Sequence, residues 1–329
     1  MARRTVSQLA YAEIATPKLQ ESRDFYVDVL GLTEIARDDT GIFLRAWGDY
    51  LPYSLQLVEG ADAALRRIGW RADSAADLER VAADLPGEWV DENAGRGRAY
   101  AFKSPSEHVN EIFWDVKPLD LPAERRSTFP NRPQKFAPVG VGVRQIDHVT
   151  VGSENPQRDA EWYRDKLDFR YMEYTVLDAS SDEPFFSMVS TTEQAHNLGL
   201  ARNSTGVKAA AHHLAYWLDQ EVDVLRAAAI LQEAGVPLEY GPGRHGMGEN
   251  TYLYVREPSG FRIEIFSGGY RNYVPDWEPV RWTPEQGSND VYRNRIAPDS
   301  ILELFPSGAR ASAEAEGANV NPFEAAPVR

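Results

Sequence analysis

Tyr26-Val27-Asp28-Val29-Leu30-Gly31-Leu32 returns later in the chain as Tyr163-Arg164-Asp165-Lys166-Leu167-Asp168-Phe169. Each copy closes a helical segment that follows a strand. Leu9 to Ile14 precedes the first, with a helix start at Thr16-Pro17; Ile146 to Val151 precedes the second, with a start at Asn155-Pro156. Proline suits the first helical turn because its missing N–H needs no partner there. Gly31 provides a left-handed stop. Two further landmarks recur in the same order. Asp73 to Leu85 and Asp219 to Leu231 both read as helices, and Lys103-Ser104-Pro105-Ser106 to Glu111-Ile112-Phe113 is echoed by Glu257-Pro258-Ser259-Gly260 to Glu264-Ile265-Phe266. With strands at Gly41 to Trp47, Ser54 to Val58, Ile68 to Ala72, Tyr100 to Lys103 and Asn110 to Trp114, the legible order is β-α-β-β, repeated. Three matched landmarks in one order mark an internal duplication.

A Pro-rich link around Lys117 to Pro138 separates the copies, so we expect domains at 1–138 and 139–305. Trp282 to Phe305 reads as a partly helical cover, and residues 306–329, rich in Ala, Ser, Glu and Gly, as a disordered tail. The 329 residues are ample for a well-buried core. A net charge of −15 argues against nucleic acid or an anionic membrane as partner and favours a small molecule. With no cysteine, any metal must be held by His, Asp or Glu. The start of the chain lacks an apolar leader and no run is long enough to span a bilayer, so a cytoplasmic protein is expected.

Five of the six histidines lie in the second copy. His148 shares a strand face with Ile146 and Thr150, where an isolated histidine is more often a satisfied core residue than a ligand. His212 and His213 open the apolar strand Leu214 to Leu218, one imidazole on each sheet face, and alternation does not choose between them. Glu264 sits between Ile263 and Ile265. A carboxylate on so apolar a strand needs a metal or an ion partner, and Arg262, two residues back on the same face, competes for that role. Two imidazoles and one carboxylate from separate strands suit non-haem Fe(II) and leave coordination positions open. His196 and His245 each read equally as loop histidines, and Tyr254 as a core strand tyrosine. Carried back to the first copy, His148 falls on Tyr11, His213 on Arg67, Glu264 on Glu111 and Tyr254 on Ala101. One of three ligand types survives there, so the first copy reads as scaffold.

Gly243-Arg244-His245, Leu253-Tyr254, Glu257-Pro258, Ser259-Gly260 and Glu264, in this spacing, resemble the signature of type I extradiol ring-cleavage dioxygenases of the vicinal oxygen chelate superfamily. The repeated modules, His148, Ala195-His196, His212-His213 and the segment Gly268 to Thr283 are similar to the catechol 2,3-dioxygenase branch; the stretch beyond Phe305 falls outside the resemblance. It implies an α+β fold of tandem βαβββ modules, two similar domains each with a curved mixed sheet enclosing a cavity. It further implies Fe(II), with Mn(II) as the alternative, bound by His148, His213 and Glu264, and His196, His245 and Tyr254 as catalytic groups. A catechol and O2 would be the substrates, a 2-hydroxymuconic semialdehyde type compound the product, and a homotetramer the assembly. His212 receives no role. Homoprotocatechuate-type members carry an Arg where this chain has Tyr240, which points to a neutral, alkyl- or halogen-substituted ring. A glyoxalase-like isomerase would instead draw ligands from both copies, and a metal-free binding protein of the same fold would have no use for the extra His and Tyr groups.

Overall fold

The computed structural model describes residues 4–136, 139–293 and 296–305. Its first half runs β1 (Val6–Thr16), α1 (Leu19–Asp24) extended by a wider π turn at Phe25–Val29, β2 (Thr33–Asp38), β3 (Gly41–Arg45) and β4 (Leu55–Glu59). It continues with β5 (Ala64–Ala72), α2 (Ala75–Asp84), β6 (Gly87–Val90), β7 (Ala99–Lys103) and β8 (Val109–Phe113). The second half repeats this βαβββ pattern twice as β9 (Gln145–Ser153), α3 (Pro156–Leu167), β10 (Arg170–Val176), β11 (Pro184–Ser190), β12 (Leu198–Arg202), then β13 (Ala211–Trp217), α4 (Glu221–Glu233), β14 (Leu238–Arg244), β15 (Asn250–Arg256) and β16 (Arg262–Gly268). A short β17 (Val280–Trp282) is added at one edge. The sheets are ordered β2-β3-β4-β1-β5-β8-β7-β6 and β14-β15-β16-β13-β9-β12-β11-β10-β17. Traversed from opposite ends they are the same mixed sheet. An antiparallel pair lies at the centre of each, β1 with β5 and β9 with β13, flanked by parallel neighbours.

The helix termini follow the sequence. Asn155 caps α3 by accepting from the Arg158 amide, Pro156 occupies the first turn, and Ser74 caps α2 by accepting from Asp77. Gly31, at φ +87°, stops the first helical segment. Its counterpart Asp168 takes the same left-handed conformation, φ +59°, without being glycine, and its carboxylate accepts from the Thr5 hydroxyl of the first half. The first helix does not start at Thr16-Pro17. Thr16 is still paired with Glu59 in the sheet, and its hydroxyl accepts from the Lys18 amide and bonds Ser22, which delays the helix to Leu19.

One apolar core runs through both halves. Trp70 of β5 meets Phe169 edge-on at 5.2 Å, and Asn110 accepts from both the Trp70 indole and Tyr163. Symmetry-related latches cross the seam. Ser22 in α1 donates to Glu257 in the turn before β16 at 2.6 Å, while Ser106, in the matching first-half turn, donates to Asp159 of α3. His108, the lone histidine of the first half, bonds the Ala210 carbonyl at 2.9 Å. Asp49 accepts from the amides of Ala46 and Ile146, and burial pushes its carboxyl up to about 7. Short 3-10 turns at Pro284–Gln286 and Asp299–Leu302 give the expected cover its partly helical character. The expected tail, 306–329, lies outside the described residues.

Candidate metal centre and active site

Register places the chemistry. Tyr240, Tyr254, Glu264, Ala215 and His148 are mutually paired across β14, β15, β16, β13 and β9 and form one transverse row. Directly paired residues share a sheet face, so the row faces one cavity. Ala215, the smallest member, leaves open space between His148 and Glu264. His213, two residues before Ala215 on β13, reaches over that space. The result is a triangle of donor atoms: His148 Nε2 to His213 Nε2 is 3.1 Å, His148 Nε2 to Glu264 Oε2 is 2.9 Å and His213 Nε2 to Glu264 Oε2 is 3.0 Å. Three ligands about 2.1 Å from one ion on a single octahedral face stand about 3.0 Å apart, so the triangle fits a divalent metal with its opposite face free. All three side chains are buried and they can hold a metal ion together.

The electrostatics agree. Burial pushes the His148 imidazolium down, but the hydrogen bonds with Asp147 and Glu264 outweigh it and lift the group to about 9. Burial raises Glu264, and the same two imidazoles reverse this and hold the carboxyl well below its usual range. Burial pulls His213 down to about 4. This floor therefore stabilises one positive charge beside Glu264, a proton or a metal ion. Arg262 is not the partner of Glu264. Its buried guanidinium instead spans Glu239 at 2.9 Å and the carbonyls of His212, Ser300 and Glu303.

Comparison with known proteins follows this geometry. Residues 145–265 match the Glyoxalase/Bleomycin resistance protein/Dioxygenase superfamily. The manganese-dependent 2,3-dihydroxybiphenyl 1,2-dioxygenase of Geobacillus genomosp. 3 is 36% identical over 84% of this chain and 90% of that one. The metapyrocatechase of Geobacillus stearothermophilus is 34% identical over 90% of this chain and 92% of its own. The chain belongs to the extradiol dioxygenases. Among solved structures, the 2,3-dioxygenase LapB from Pseudomonas sp. KL28 superposes with a TM-score of 0.77 at 26% identity, covering 85% of this chain and 98% of the other. Meta cleavage of a catechol ring is thus the reaction of this enzyme, and one of these relatives is named manganese-dependent.

The other expected groups of the dioxygenase gather around the triangle. His196 lays its ring over His148 with centroids 4.0 Å apart. His245 stacks on Tyr252 at 3.8 Å, bonds the Asn289 carbonyl through Nδ1, and faces the Tyr254 hydroxyl through Nε2 at 3.1 Å. A carbonyl only accepts, so Nδ1 of His245 carries the proton and Nε2 accepts from Tyr254. Burial lowers His245 and raises Tyr254, so both are neutral. His212 departs from the expected alternation. A bulge between Ala211 and His213 interrupts the register with β9, and both imidazoles line the same cavity.

Sequence reasoning missed Asp147, which accepts from His148 Nδ1 at 3.0 Å and is held by Gln194 at 2.6 Å. It also missed Asn289 and Asn250; the Asn250 amide reaches Glu264 at 3.4 Å. The polar residue directly before a strand histidine was the one available signal for Asp147. Glu257, part of the motif, lies away from the triangle and braces its turn by accepting from the amides of Ser259 and Phe261.

The first half carries the same row as Ala101, Glu111, Gly69 and Tyr11. Gly69 replaces Ala215, and a Cβ there would lie 2.1 Å from the Tyr11 ring, so the phenol fills the space above it. Glu111 accepts from Tyr11 and pairs with Arg67 Nε at 3.2 Å, and Arg67 also reaches Glu13 at 2.9 Å. The carboxylate persists, with a guanidinium as its cation.

Proposed function

We propose that His148, His213 and Glu264 hold one Fe(II), that the second half (139–305) performs the cleavage on the scaffold of the first (1–138), and that the substrate is a catechol without an acidic side chain. The observation carrying this is the donor triangle of 2.9–3.1 Å edges with a free face toward the cavity. His148, His213 and Glu264 would hold the metal, which would supply Lewis acidity toward the catechol hydroxyls and electron transfer with O2. Tyr254 and His245 form the proton path. As Tyr254 takes a proton from the substrate hydroxyl, it passes its own to His245 Nε2, which the Asn289 carbonyl keeps as an acceptor. His196 packs against the His148 ring, kept neutral by burial and by that neighbour, and is assigned to the O2 side as hydrogen-bond and proton donor. The product is a 2-hydroxymuconic semialdehyde type compound.

The cavity is walled in part by Phe185, Phe186, Met188, Leu302 and Leu304. Among the described lining residues the cation is Arg202, which Glu183 and the Pro184 carbonyl engage at 2.6 and 3.0 Å. That wall favours alkyl- or halogen-substituted rings over acids. Mn(II) is the second reading, because the 36%-identical relative is named manganese-dependent. Metal analysis after anaerobic purification, followed by reconstitution of the stripped protein with Fe(II) or Mn(II) and oxygen uptake on catechol, methyl-, chloro- and carboxymethyl-catechols, tests all three points. One iron per chain and a yellow product from the neutral rings are expected. Iron-loaded protein that consumes no oxygen with any of them sinks the reading.

A further inference from the structure

We propose that His212 is a positioning residue that fixes the tautomer of His213 and ties the metal site to the cover segment 299–305. The proposal rests on the reading of His213 as a metal ligand.

The hydrogen bonds permit one arrangement. His212 Nε2 meets the Ile301 carbonyl, which only accepts, so Nε2 carries a proton. His212 Nδ1 then presents its lone pair to His213 Nδ1, 2.5 Å away, and His213 must donate there. With its proton on Nδ1, His213 has a bare Nε2, the atom that points at Glu264 and His148. A single backbone oxygen thus selects, through two rings, which nitrogen of His213 is free. His148 obtains the same service from Asp147. On β13 no carboxylate is placed to do it, and the bulge at Ala211–His213 supplies a second imidazole instead.

The same contact reaches the cover. Ala211 and Phe305 exchange two backbone hydrogen bonds at 2.8 and 2.7 Å, Arg262 holds the carbonyls of Ser300 and Glu303, and Ile301, Leu302 and Leu304 wall the substrate cavity. If the cover undocks, His212 loses its acceptor and His213 loses the constraint on its tautomer. Metal binding and cover docking are therefore linked, and each strengthens the other.

The test uses the full chain, stripped of metal and titrated calorimetrically with Mn(II). His212→Ala is expected to weaken binding about 10- to 100-fold, the usual loss when a ligand's hydrogen-bond partner is removed. His212→Asn places a side-chain oxygen where it can accept from His213 Nδ1 and is expected to stay within about threefold of the parent. Both variants lose the Ile301 contact. In the parent, Mn(II) should slow amide exchange at Phe305, and in both variants that metal dependence should vanish. Unchanged Mn(II) affinity in His212→Ala overturns the proposal, as does equal weakening in the Ala and Asn variants. If His212→Ala fails to fold by circular dichroism, the Asn variant decides: metal-dependent protection of Phe305 that survives His212→Asn overturns the link to the cover. A parent chain that binds neither Mn(II) nor Fe(II) overturns the triad reading and this inference with it.

Discussion

The two halves solve one electrostatic problem differently. Each buries a glutamate in the middle of a curved sheet, Glu111 in one and Glu264 in the other, at 0% and 1% exposure. A buried carboxylate needs a cation. The first half provides its own, the Arg67 guanidinium with Arg96 at 3.7 Å, and lays the Tyr11 ring over Gly69. The second half offers two imidazoles and leaves the cation to come from solution. A tethered cation saturates the site, whereas an exchangeable one keeps a coordination face free for substrate. The halves differ at Tyr11/His148, Arg67/His213 and Gly69/Ala215, while the backbone pairing stays the same.

The contrast is most exposed at the carboxylates. Glu264→Ala should drop metal content from one per chain to near zero and reduce ring cleavage by more than about 10³-fold, read by metal analysis and oxygen uptake. His196→Ala should retain the metal and lose turnover by about 10²-fold. Equal metal loss in both would erase the division between ligands and the groups around them. In the first half, Glu111→Gln should leave metal content untouched yet cost about 3 kcal/mol of stability, because Arg67 and Arg96 lose their buried partner. Metal loss there, with the fold intact, would make the first half more than a scaffold.

Smaller effects lie at the seam. Burial lifts the Asp49 carboxyl from its ordinary 3.8 to about 7, so between those pH values the folded state binds more protons than the unfolded one. Stability from this group is present at low pH and is lost as pH rises from about 4 through 7, by up to about 2 kcal/mol between pH 5 and pH 7. Denaturant midpoints at the two pH values should differ less in Asp49→Asn than in the parent; an identical difference would remove Asp49 from the account. Ser22→Ala breaks the bond to Glu257 and should cost about 1–2 kcal/mol with no change in metal content. A larger loss would mean the latch also shapes the strand that carries Glu264.

Much of this was readable from the residues. The repeated landmarks gave the duplication, and His148, His213, Tyr254 and Glu264 were legible as strand residues; that β13 puts Ala215 between His148 and Glu264 was not. Strands β2 and β6 escaped because Thr33–Asp38 is charged and half-exposed and Gly87–Val90 is a short edge. Strand β14 hides behind Gly241-Pro242-Gly243, a turn-like run that an edge strand with irregular register tolerates. His212 was misplaced because alternation assumes an unbroken ladder, and a bulge is invisible to periodicity. Asn289 and Gln194 act only through what they hold, and contacts between distant segments leave no spacing to detect.

The crossed latches also set limits on how such a chain can change. Ser22 grips the turn that leads into the Glu264 strand, and Asp159 grips its twin in the other half. A gene encoding only the metal-bearing half would yield a polypeptide whose motif turn has lost its brace and whose core has lost Trp70. The first copy holds Tyr11 and Arg67 where the second holds His148 and His213, and its contacts brace the second. Each half thus holds in place, with its matching helix, the turn that leads into the other half's central glutamate strand.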